Sequence, residues 1–337
     1  MDDVGIHQAH RRAFLARASA LGVASLIGFP RAACGEPLPE VTRIRLVRVP
    51  ALCFAPQYVA EELLRLEGFS EVEYVKLYET IPSTLQKFAD FAMFGGPSIL
   101  PAIDNGYPIV TIAGTHEGCW ELFAHDPVNS LQDLRGKAVA IASLGGVEHV
   151  WLSSMLAYVG IDPRTEIEWV TTKKWGDSQR LYLEGKVAAF LAFPPEPQEL
   201  REKKIGKVIL NTTLDRPWSQ YYCCMIAAHR DFIDKNPVAT KRALRAMLKA
   251  ADICAQHPEQ AARLLVEKGY EPRYEMALTV LKSLSYNRWH TDNPADTLRF
   301  HALRLRDAGM IKSTPQHIID RGSNFTFLNE LKKELKA

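Results

Sequence analysis

Short apolar stretches alternate with amphipathic ones along residues 41–211, as strands and helices do in an α/β fold. The first stretch, TRIRLVRVP, predicts a strand because its apolar residues cluster at Ile44, Leu46, Val47 and Val49. Similar stretches predict strands in VEYVKL, FAMFGG, PIVTIAGT, KAVAIAS, EIEWVTT, VAAFLAF and KVILNT. Strands that alternate with helices indicate mainly parallel sheets with helices on both faces.

The helical pattern differs between the start and the end of the chain. In APQYVAEELLRLEG, Val59, Leu63 and Leu66 fall on one helical face and a glycine follows as a helix end. From Asp231 onward almost the whole chain is predicted to be helical, and Asn236 with Pro237 is a typical helix start. The buried stripe of that long helix is predicted at Leu244, Met247, Leu248 and Ala251.

The first 33 residues have the pattern of an export signal. Arg11 and Arg12 precede a short apolar run that ends in small residues, in the segment HRRAFLARASALGVASLIGFPRAAC. The arrangement RRAFL is typical of the twin-arginine type, and an amphipathic N-terminal helix is the alternative. Cys34 is a candidate for lipid attachment, although Arg31 stands where lipoproteins usually have an aliphatic residue.

Composition and charge exclude several classes of function. The chain has 337 residues, of which 47% are hydrophobic and 24% charged, and its net charge is +2. That charge gives no electrostatic reason to expect nucleic-acid binding. No apolar run approaches the roughly 20 residues that span a bilayer. The length suits two medium lobes or one large domain.

The loops that follow the predicted strands form the candidate ligand site, because open α/β sheets bind ligands at the carboxyl ends of their strands. The loop SLGGVEH offers Ser143, Gly145 and Gly146 just before a helix. Its glycines let the backbone approach a ligand, and the helix start favours an anion. A plain strand-to-helix turn explains the same residues equally well. Neither G-x-G-x-x-G nor a Walker A pattern occurs.

Two loop histidines, His116 and His149, raise the possibility of a metal site or a general base. The sequence contains no H-E-x-x-H and no C-x-x-C, which disfavours a metal. A loop histidine more often serves as a hydrogen-bonding residue. In the loop GGPS, Gly96 and Ser98 are candidate ligand contacts for the same reason as the residues of SLGGVEH, although the pattern that indicates them is weaker.

The segment PWSQYYCCMIAAH, residues 217–229, contains two adjacent cysteines. If the segment is extended, Trp218 and Tyr222 share one face with Cys224, and Cys223 points the opposite way. That geometry argues against a shared metal or a disulfide between neighbours, so both cysteines are predicted to be buried hydrophobic residues. The aromatic residues fit a pocket wall. Whether Cys119 and Cys223 form a disulfide stays open.

The chain resembles the substrate-binding proteins of ABC importers, in the group that binds nitrate, taurine, alkanesulfonates and thiamine-pyrimidine precursors. The resemblance covers roughly Arg43 to Leu335 and is carried by the segments GGPSILPAIDNGYPIVTIAGTHEGC, LRGKAVAIASLGGVEHVWLSSMLAYVGID, LEGKVAAFLAFPPEP and NPVATKRALRAMLKAADIC. It implies the type II periplasmic binding protein fold, with two crossing strands and a helical C-terminal tail. Lobe I would comprise residues 41–118 and 218–337, and lobe II residues 119–217.

The resemblance also implies a non-catalytic function. A monomeric periplasmic protein would bind a small molecule between its lobes, close about a hinge and deliver the molecule to ABC permease and ATPase subunits, with no cofactor, no metal and no nucleic-acid partner. By position, the implied ligand contacts are Phe54, Gly96, Ser98, His116, Ser143, Gly145, Gly146, Glu196 and Trp218. These loops depart from sulfonate and nitrate binders because they offer no clear basic side chain and include Glu117, Glu148 and Glu196. The ligand therefore stays open.

Two other functions remain as alternatives. Some desulfinases and pyrimidine-precursor synthases resemble this fold, and Cys53 would then be the nucleophile. Such a thiol needs a lowered pKa, usually from a nearby histidine, and His116 is the next one along the chain. A signalling or scaffold protein that kept a binding lobe is the other alternative.

Overall fold

A computed structural model describes the chain over residues 36–49, 51–172 and 176–335. The predicted export signal at residues 1–33 and the candidate lipidation residue Cys34 lie outside the described residues. Within the described part, no helix is both long and apolar enough to cross a membrane.

The first of two sheets brings together strands from both ends of the chain. The strands are β1 (Arg43–Arg48), β2 (Glu71–Lys76), β3 (Phe91–Gly95), β4 (Ile109–Glu117) and β10 (Tyr222–His229). Their order in the sheet is β2-β1-β3-β10-β4. Strand β1 runs parallel to β2 and β3, whereas β10 runs antiparallel to β3 and β4.

The second sheet repeats this arrangement with the middle of the chain. The strands are β5 (Glu121–Ala124), β6 (Ala138–Ile141), β7 (Glu168–Thr171), β8 (Ala189–Ala192) and β9 (Lys207–Asn211). Their order in the sheet is β7-β6-β8-β5-β9, and β5 runs antiparallel to its neighbours β8 and β9. In each sheet the reversed strand is the one by which the chain enters from the other sheet, so the two-lobed α/β fold is confirmed.

Helices surround both sheets. Between strands of the first sheet lie α1 (Ala55–Val59), α2 (Glu61–Leu66), α3 (Ile81–Phe88) and α4 (Leu100–Asp104). Between strands of the second lie α5 (Val147–Tyr158), α6 (Asp177–Leu183) and α7 (Glu196–Glu202). The helical tail contains α8 (Arg230–Lys235), α9 (Pro237–Gln256), α10 (Pro258–Glu267), α11 (Tyr274–Lys282), α12 (Pro294–Asp307), α13 (Pro315–Gly322) and α14 (Thr326–Glu334).

Helix α9 forms as its pattern predicts. It begins at Pro237, directly after Asn236, and packs on α1 and α2. The four residues of the predicted stripe are all fully buried, namely Leu244, Met247, Leu248 and Ala251. A stripe of small and branched apolar residues at helical spacing therefore identified the buried face correctly.

The predicted single helix over residues 55–68 is wrong in one respect. The structure divides it at Ala60, whose ψ is −13° rather than the α-helical value near −42°. Leu64 is fully buried, whereas Leu66, predicted on the same face as Val59 and Leu63, is 83% exposed.

The chain crosses between the sheets twice, through residues 118–120 and 212–221, and the two crossings run side by side. The Thr212 hydroxyl accepts hydrogen bonds from the backbone N–H groups of Cys119 (3.1 Å) and Trp120 (2.9 Å). A Cβ at Gly118 would overlap the backbone at Thr213, so glycine permits this close approach. The crossings are thus joined through one buried threonine.

Candidate functional site

A small cavity lies between the two sheets, beside the crossings. Its volume is about 20 Å³. Residues from both sides line it, namely Val49, Ala51, Cys53, Phe54, Ile81, Gly95 and Cys224 from the first, Val147 and Phe193 from the second, and Cys119 and Trp120 from the first crossing. The cavity is lined by apolar side chains and cysteines, and none of the described lining residues is basic.

The local fold explains why these residues meet. Cys53 and Phe54 lie in a short 3₁₀ helix just beyond β1, and Gly95 ends β3. On the other side, Val147 begins α5 and Phe193 follows β8. All these positions lie at or just beyond the carboxyl ends of strands, where α/β sheets bind their ligands.

Three cysteines and one histidine converge at this cavity. The ligating atoms of Cys53, His116, Cys119 and Cys224 all lie within 4.8 Å of one another, and all four residues are buried. The Cys53 and Cys224 sulfurs are 3.9 Å apart. We refer to these four residues as the thiol–imidazole cluster. Sulfur and imidazole nitrogen are ligands that zinc and copper prefer.

The ring of His116 is oriented by the backbone. Its Nδ1 lies 3.0 Å from the carbonyl oxygen of Glu117 and 3.2 Å from that of Gly118. Because carbonyl oxygens only accept hydrogen bonds, Nδ1 carries the proton and Nε2 keeps its lone pair. Nε2 is buried and has no hydrogen-bond partner among the described residues.

The prediction that Cys223 and Cys224 point to opposite faces is wrong. Their sulfurs are 3.9 Å apart, because the pairing of β10 with β4 shifts register on both sides of Cys224. A β-bulge of this kind breaks strict alternation and redirects side chains. The structure also places the Cys223 sulfur 2.7 Å from that of Cys119, with both cysteines free.

The thiols of the cluster are not activated as nucleophiles. A hydrogen bond with Cys119, together with burial, raises the pKa of Cys53 to about 12. Burial raises the pKa of Cys119 to about 12 as well. Both thiols therefore hold their protons at neutral pH, opposite to what the alternative of a Cys53 nucleophile requires.

Two buried carboxyl groups, Glu148 and Glu117, and one half-buried carboxyl group, Glu196, lie close to the cavity or the cluster. Glu196 accepts a hydrogen bond from the backbone N–H of Phe193 (3.3 Å), and burial raises its pKa to about 8. Burial also raises the pKa of Glu148, which is 3% exposed. Beside His116, burial raises the pKa of Glu117 to about 8, although Arg288 lies 3.4 Å away. The site is therefore acidic when these groups ionise.

The loop SLGGVEH uses its backbone donors internally. The N–H of Gly145 donates to Nδ1 of His149 (2.9 Å), and that of Gly146 donates to the carbonyl of Ser143 (3.1 Å). Ser143 and Gly145 are exposed. Burial lowers the pKa of His149 to about 4, so its ring is neutral and accepts this hydrogen bond.

The other predicted contacts are distributed around the cavity. Ser98 donates to the carbonyl of Gly95 (2.6 Å), and a Cβ at Gly96 would crowd the carbonyl of Tyr222. Trp218 lies in a 3₁₀ helix and packs edge-on against Tyr158, so the expectation that it shares a strand face with Tyr222 is wrong. Of the nine predicted residues, Phe54 lines the cavity and His116 lies in the adjacent cluster. All nine remain predictions as ligand contacts.

A larger pocket of about 250 Å³ opens nearby. Tyr58 and Tyr270 stack in its wall with ring centroids 3.9 Å apart, and exposed Arg48 lies over the Tyr270 ring. Pro195 contributes from the second sheet's side, and Glu271 adds a carboxylate. This pocket has one arginine, but a carboxylate offsets its charge.

Comparison with known proteins agrees with this architecture. A profile of the family described as NMT1/THI5-like matches residues 71–261. The chain belongs to the NMT1/THI5-like family. No curated protein sequence matches the chain significantly.

Solved structures show the same fold at low identity. The periplasmic nitrate-binding protein NrtA from Synechocystis PCC 6803 is 17% identical, with a TM-score of 0.71 over 89% of this chain and 90% of that one. The periplasmic aliphatic sulphonate binding protein SsuA from Escherichia coli is also 17% identical, with a TM-score of 0.65 over 85% and 94% of the two chains. At this identity the likeness shows the periplasmic binding protein fold alone.

Proposed function

We propose that this family member is an extracytoplasmic solute-binding protein of an ABC importer. In this proposal the segment 1–33 directs export to the periplasm, and the mature chain captures a small molecule and delivers it to a membrane permease with its ATPase. Lobe I comprises residues 41–118 and 218–337, and lobe II residues 119–217. The observation that carries the proposal is a cavity lined from both lobes, directly beside the two crossings.

Contacts between the proposed lobes support closure about the crossings. His301 of lobe I lies with Nδ1 2.8 Å from the Ser154 hydroxyl of lobe II. Arg273 of lobe I pairs with Glu199 of lobe II at 2.7 Å. Such contacts form only when the lobes meet, so they favour the closed state, and a solute that touches both lobes adds to that preference.

The electrostatics favour a neutral or positively charged solute. A nitrate or sulfonate held away from water needs a positive partner or several free hydrogen-bond donors. The described cavity lining has no basic side chain, and the N–H groups of Gly145 and Gly146 bond within their own loop. Buried Glu148 and half-buried Glu196 lie close by. Burial raises the pKa of both, so they supply no positive charge and repel an anion only at a pH that ionises them. We therefore propose that this chain differs in solute charge from the nitrate and sulphonate binders whose fold it shares.

A thermal-shift screen tests the proposal. The mature chain is melted with nitrate, alkanesulfonates, amines and pyrimidines in separate wells. A true solute at 100 times its dissociation constant adds about 2.7 kcal/mol to stability. We expect the shift from an amine or a neutral heterocycle, and a shift from nitrate or sulfonates alone would contradict the proposed solute charge.

Two matched variants locate the binding site. Val147 lines the cavity, whereas Val208, also in lobe II, is 37% exposed. Val147→Phe fills the cavity and is expected to abolish the solute-induced shift, and Val208→Phe is expected to retain it. Equal shifts in both variants would place the binding site elsewhere.

The enzymatic alternative receives less support because the Cys53 thiol is buried and its pKa is raised. Mass spectrometry of each bound solute after prolonged incubation tests this point. We expect the solute to be recovered unchanged with the wild type and with Cys53→Ser. Product formation that Cys53→Ser abolishes would overturn the receptor proposal.

A further inference from the structure

The thiol–imidazole cluster has the composition and spacing of a metal site. A tetrahedral zinc ion with bonds of about 2.3 Å to sulfur places its sulfur ligands about 3.8 Å apart. The Cys53 and Cys224 sulfurs are 3.9 Å apart. The widest separation in the cluster is 4.8 Å, so small side-chain rotations would bring all four ligating atoms to bonding distance.

His116 is already arranged as a metal ligand. Metal-bound histidines usually donate their second ring N–H to a carbonyl or carboxylate, which fixes the tautomer. Here Nδ1 donates to the carbonyls of Glu117 and Gly118, and the fully buried Nε2 has no hydrogen-bond partner among the described residues. An unpartnered buried nitrogen is costly, and a metal ion bound there would remove that cost.

We propose that Cys53, His116, Cys119 and Cys224 bind a thiophilic d¹⁰ metal ion, Zn²⁺ or Cu⁺, in a Cys₃His site. Each coordinating thiol releases its proton to solvent as the metal–sulfur bond forms, and no electron is transferred. The location of the ion at the floor of the interlobe cleft rests on the proposed function. The binding of the ion requires only the four side chains.

The four proposed ligands come from separate elements of the fold. Cys53 comes from the turn after β1, His116 from the end of β4, Cys119 from the first crossing and Cys224 from β10. Three elements of the first sheet and one crossing therefore meet at one ion. Binding would fix the first crossing relative to the first sheet.

A disulfide between Cys119 and Cys223 is the rival use of these sulfurs, because the two atoms lie 2.7 Å apart. It would remove Cys119 from the ligand set. The variant Cys223→Ser separates the two possibilities, since it keeps all four proposed ligands and abolishes the rival bond.

The test uses the full mature chain, reduced and handled without oxygen. Zn²⁺ is titrated against a chromophoric chelator, Cu⁺ against a Cu⁺-specific one, and Co²⁺ serves as a spectroscopic probe of tetrahedral thiolate coordination. We expect one ion per chain, and X-ray absorption of the zinc form should show sulfur at about 2.3 Å and nitrogen at about 2.0 Å. Because this measurement uses the wild type, it tests the proposed site even if variants of the ligands fail to fold.

Single substitutions then assign the ligands. Cys53→Ser, Cys119→Ser, Cys224→Ser and His116→Gln should each weaken binding by more than about 100-fold, since loss of outer-shell partners alone costs 10- to 100-fold. The matched control is Cys254→Ser, because Cys254 is fully buried in α9 outside the cluster. Cys254→Ser and Cys223→Ser should bind as the wild type does.

Three outcomes would overturn the inference: no stoichiometric binding of either ion by the reduced protein, absorption spectra with oxygen and nitrogen neighbours only, or equal loss of binding in Cys254→Ser. None of these affects the thermal shift from small molecules. The metal inference and the proposed function can therefore fail separately.

Discussion

Replacing Glu196 by glutamine removes a carboxyl group that burial keeps protonated beside the cavity. Glu196 lies in the first turn of α7, and its Oε2 accepts the backbone N–H of Phe193 at 3.3 Å. Glutamine keeps the shape and an accepting oxygen. The substitution therefore isolates the free energy of ionising this one half-buried group.

The sign and size of the effect follow from the pKa. Burial raises the Glu196 pKa from 4.5 to about 8, so between these values the native state holds a proton that the unfolded state has released. Its contribution to stability is thus present at low pH and is lost as pH rises through this range. The full change corresponds to about 5 kcal/mol, and structural relaxation with water penetration should reduce it to roughly 2 kcal/mol.

Urea unfolding at pH 5 and pH 8.5 measures the difference. At pH 8.5 we expect Glu196→Gln to be more stable than the wild type by roughly 2 kcal/mol, and at pH 5 to differ by less than about 0.5 kcal/mol. The matched control is Glu202→Gln, an exposed residue of the same helix, which should show no pH-dependent difference. A Glu196→Gln variant that is no more stable at pH 8.5 would refute the reasoning.

Four further substitutions test the packing that positions the site, each measured by urea unfolding. Gly114→Ala would place a methyl group against the Tyr222 ring, and we expect a loss of about 1–3 kcal/mol from overpacking; unchanged stability would contradict this contact. Thr212→Val leaves two buried N–H groups unpaired and should cost about 1–3 kcal/mol. Leu64→Ala should cost about 2–5 kcal/mol but Leu66→Ala less than about 0.5, and equal losses would contradict the burial of Leu64 and the exposure of Leu66.

The sequence predicted those elements whose pattern is local. The strands over residues 43–48 and 91–95 and the stripe of α9 depend on periodicity within one element, and tertiary contacts did not alter it. The burial of Leu64 rather than Leu66 is different, because it depends on which face of α2 packs against α9, and no local pattern marks that face.

The thiol–imidazole cluster could not be predicted from spacing. Cys53 and Cys224 are separated by 171 positions, and only the order of strands in the first sheet brings them together. No sequence motif marks this cluster. The available signal was one of position, because Cys53, His116 and Cys119 all lie at or just beyond the ends of predicted strands. The bulge that redirects Cys224 depends on pairing between β10 and β4, which no local pattern encodes.

Lobe closure is the central claim, and small-angle X-ray scattering of the mature chain tests it most directly, with and without a solute identified in the thermal screen. We predict that saturating solute lowers the radius of gyration toward the value calculated from this structure, in which the proposed lobes touch. An unchanged radius of gyration, while calorimetry shows the solute fully bound, would contradict the account.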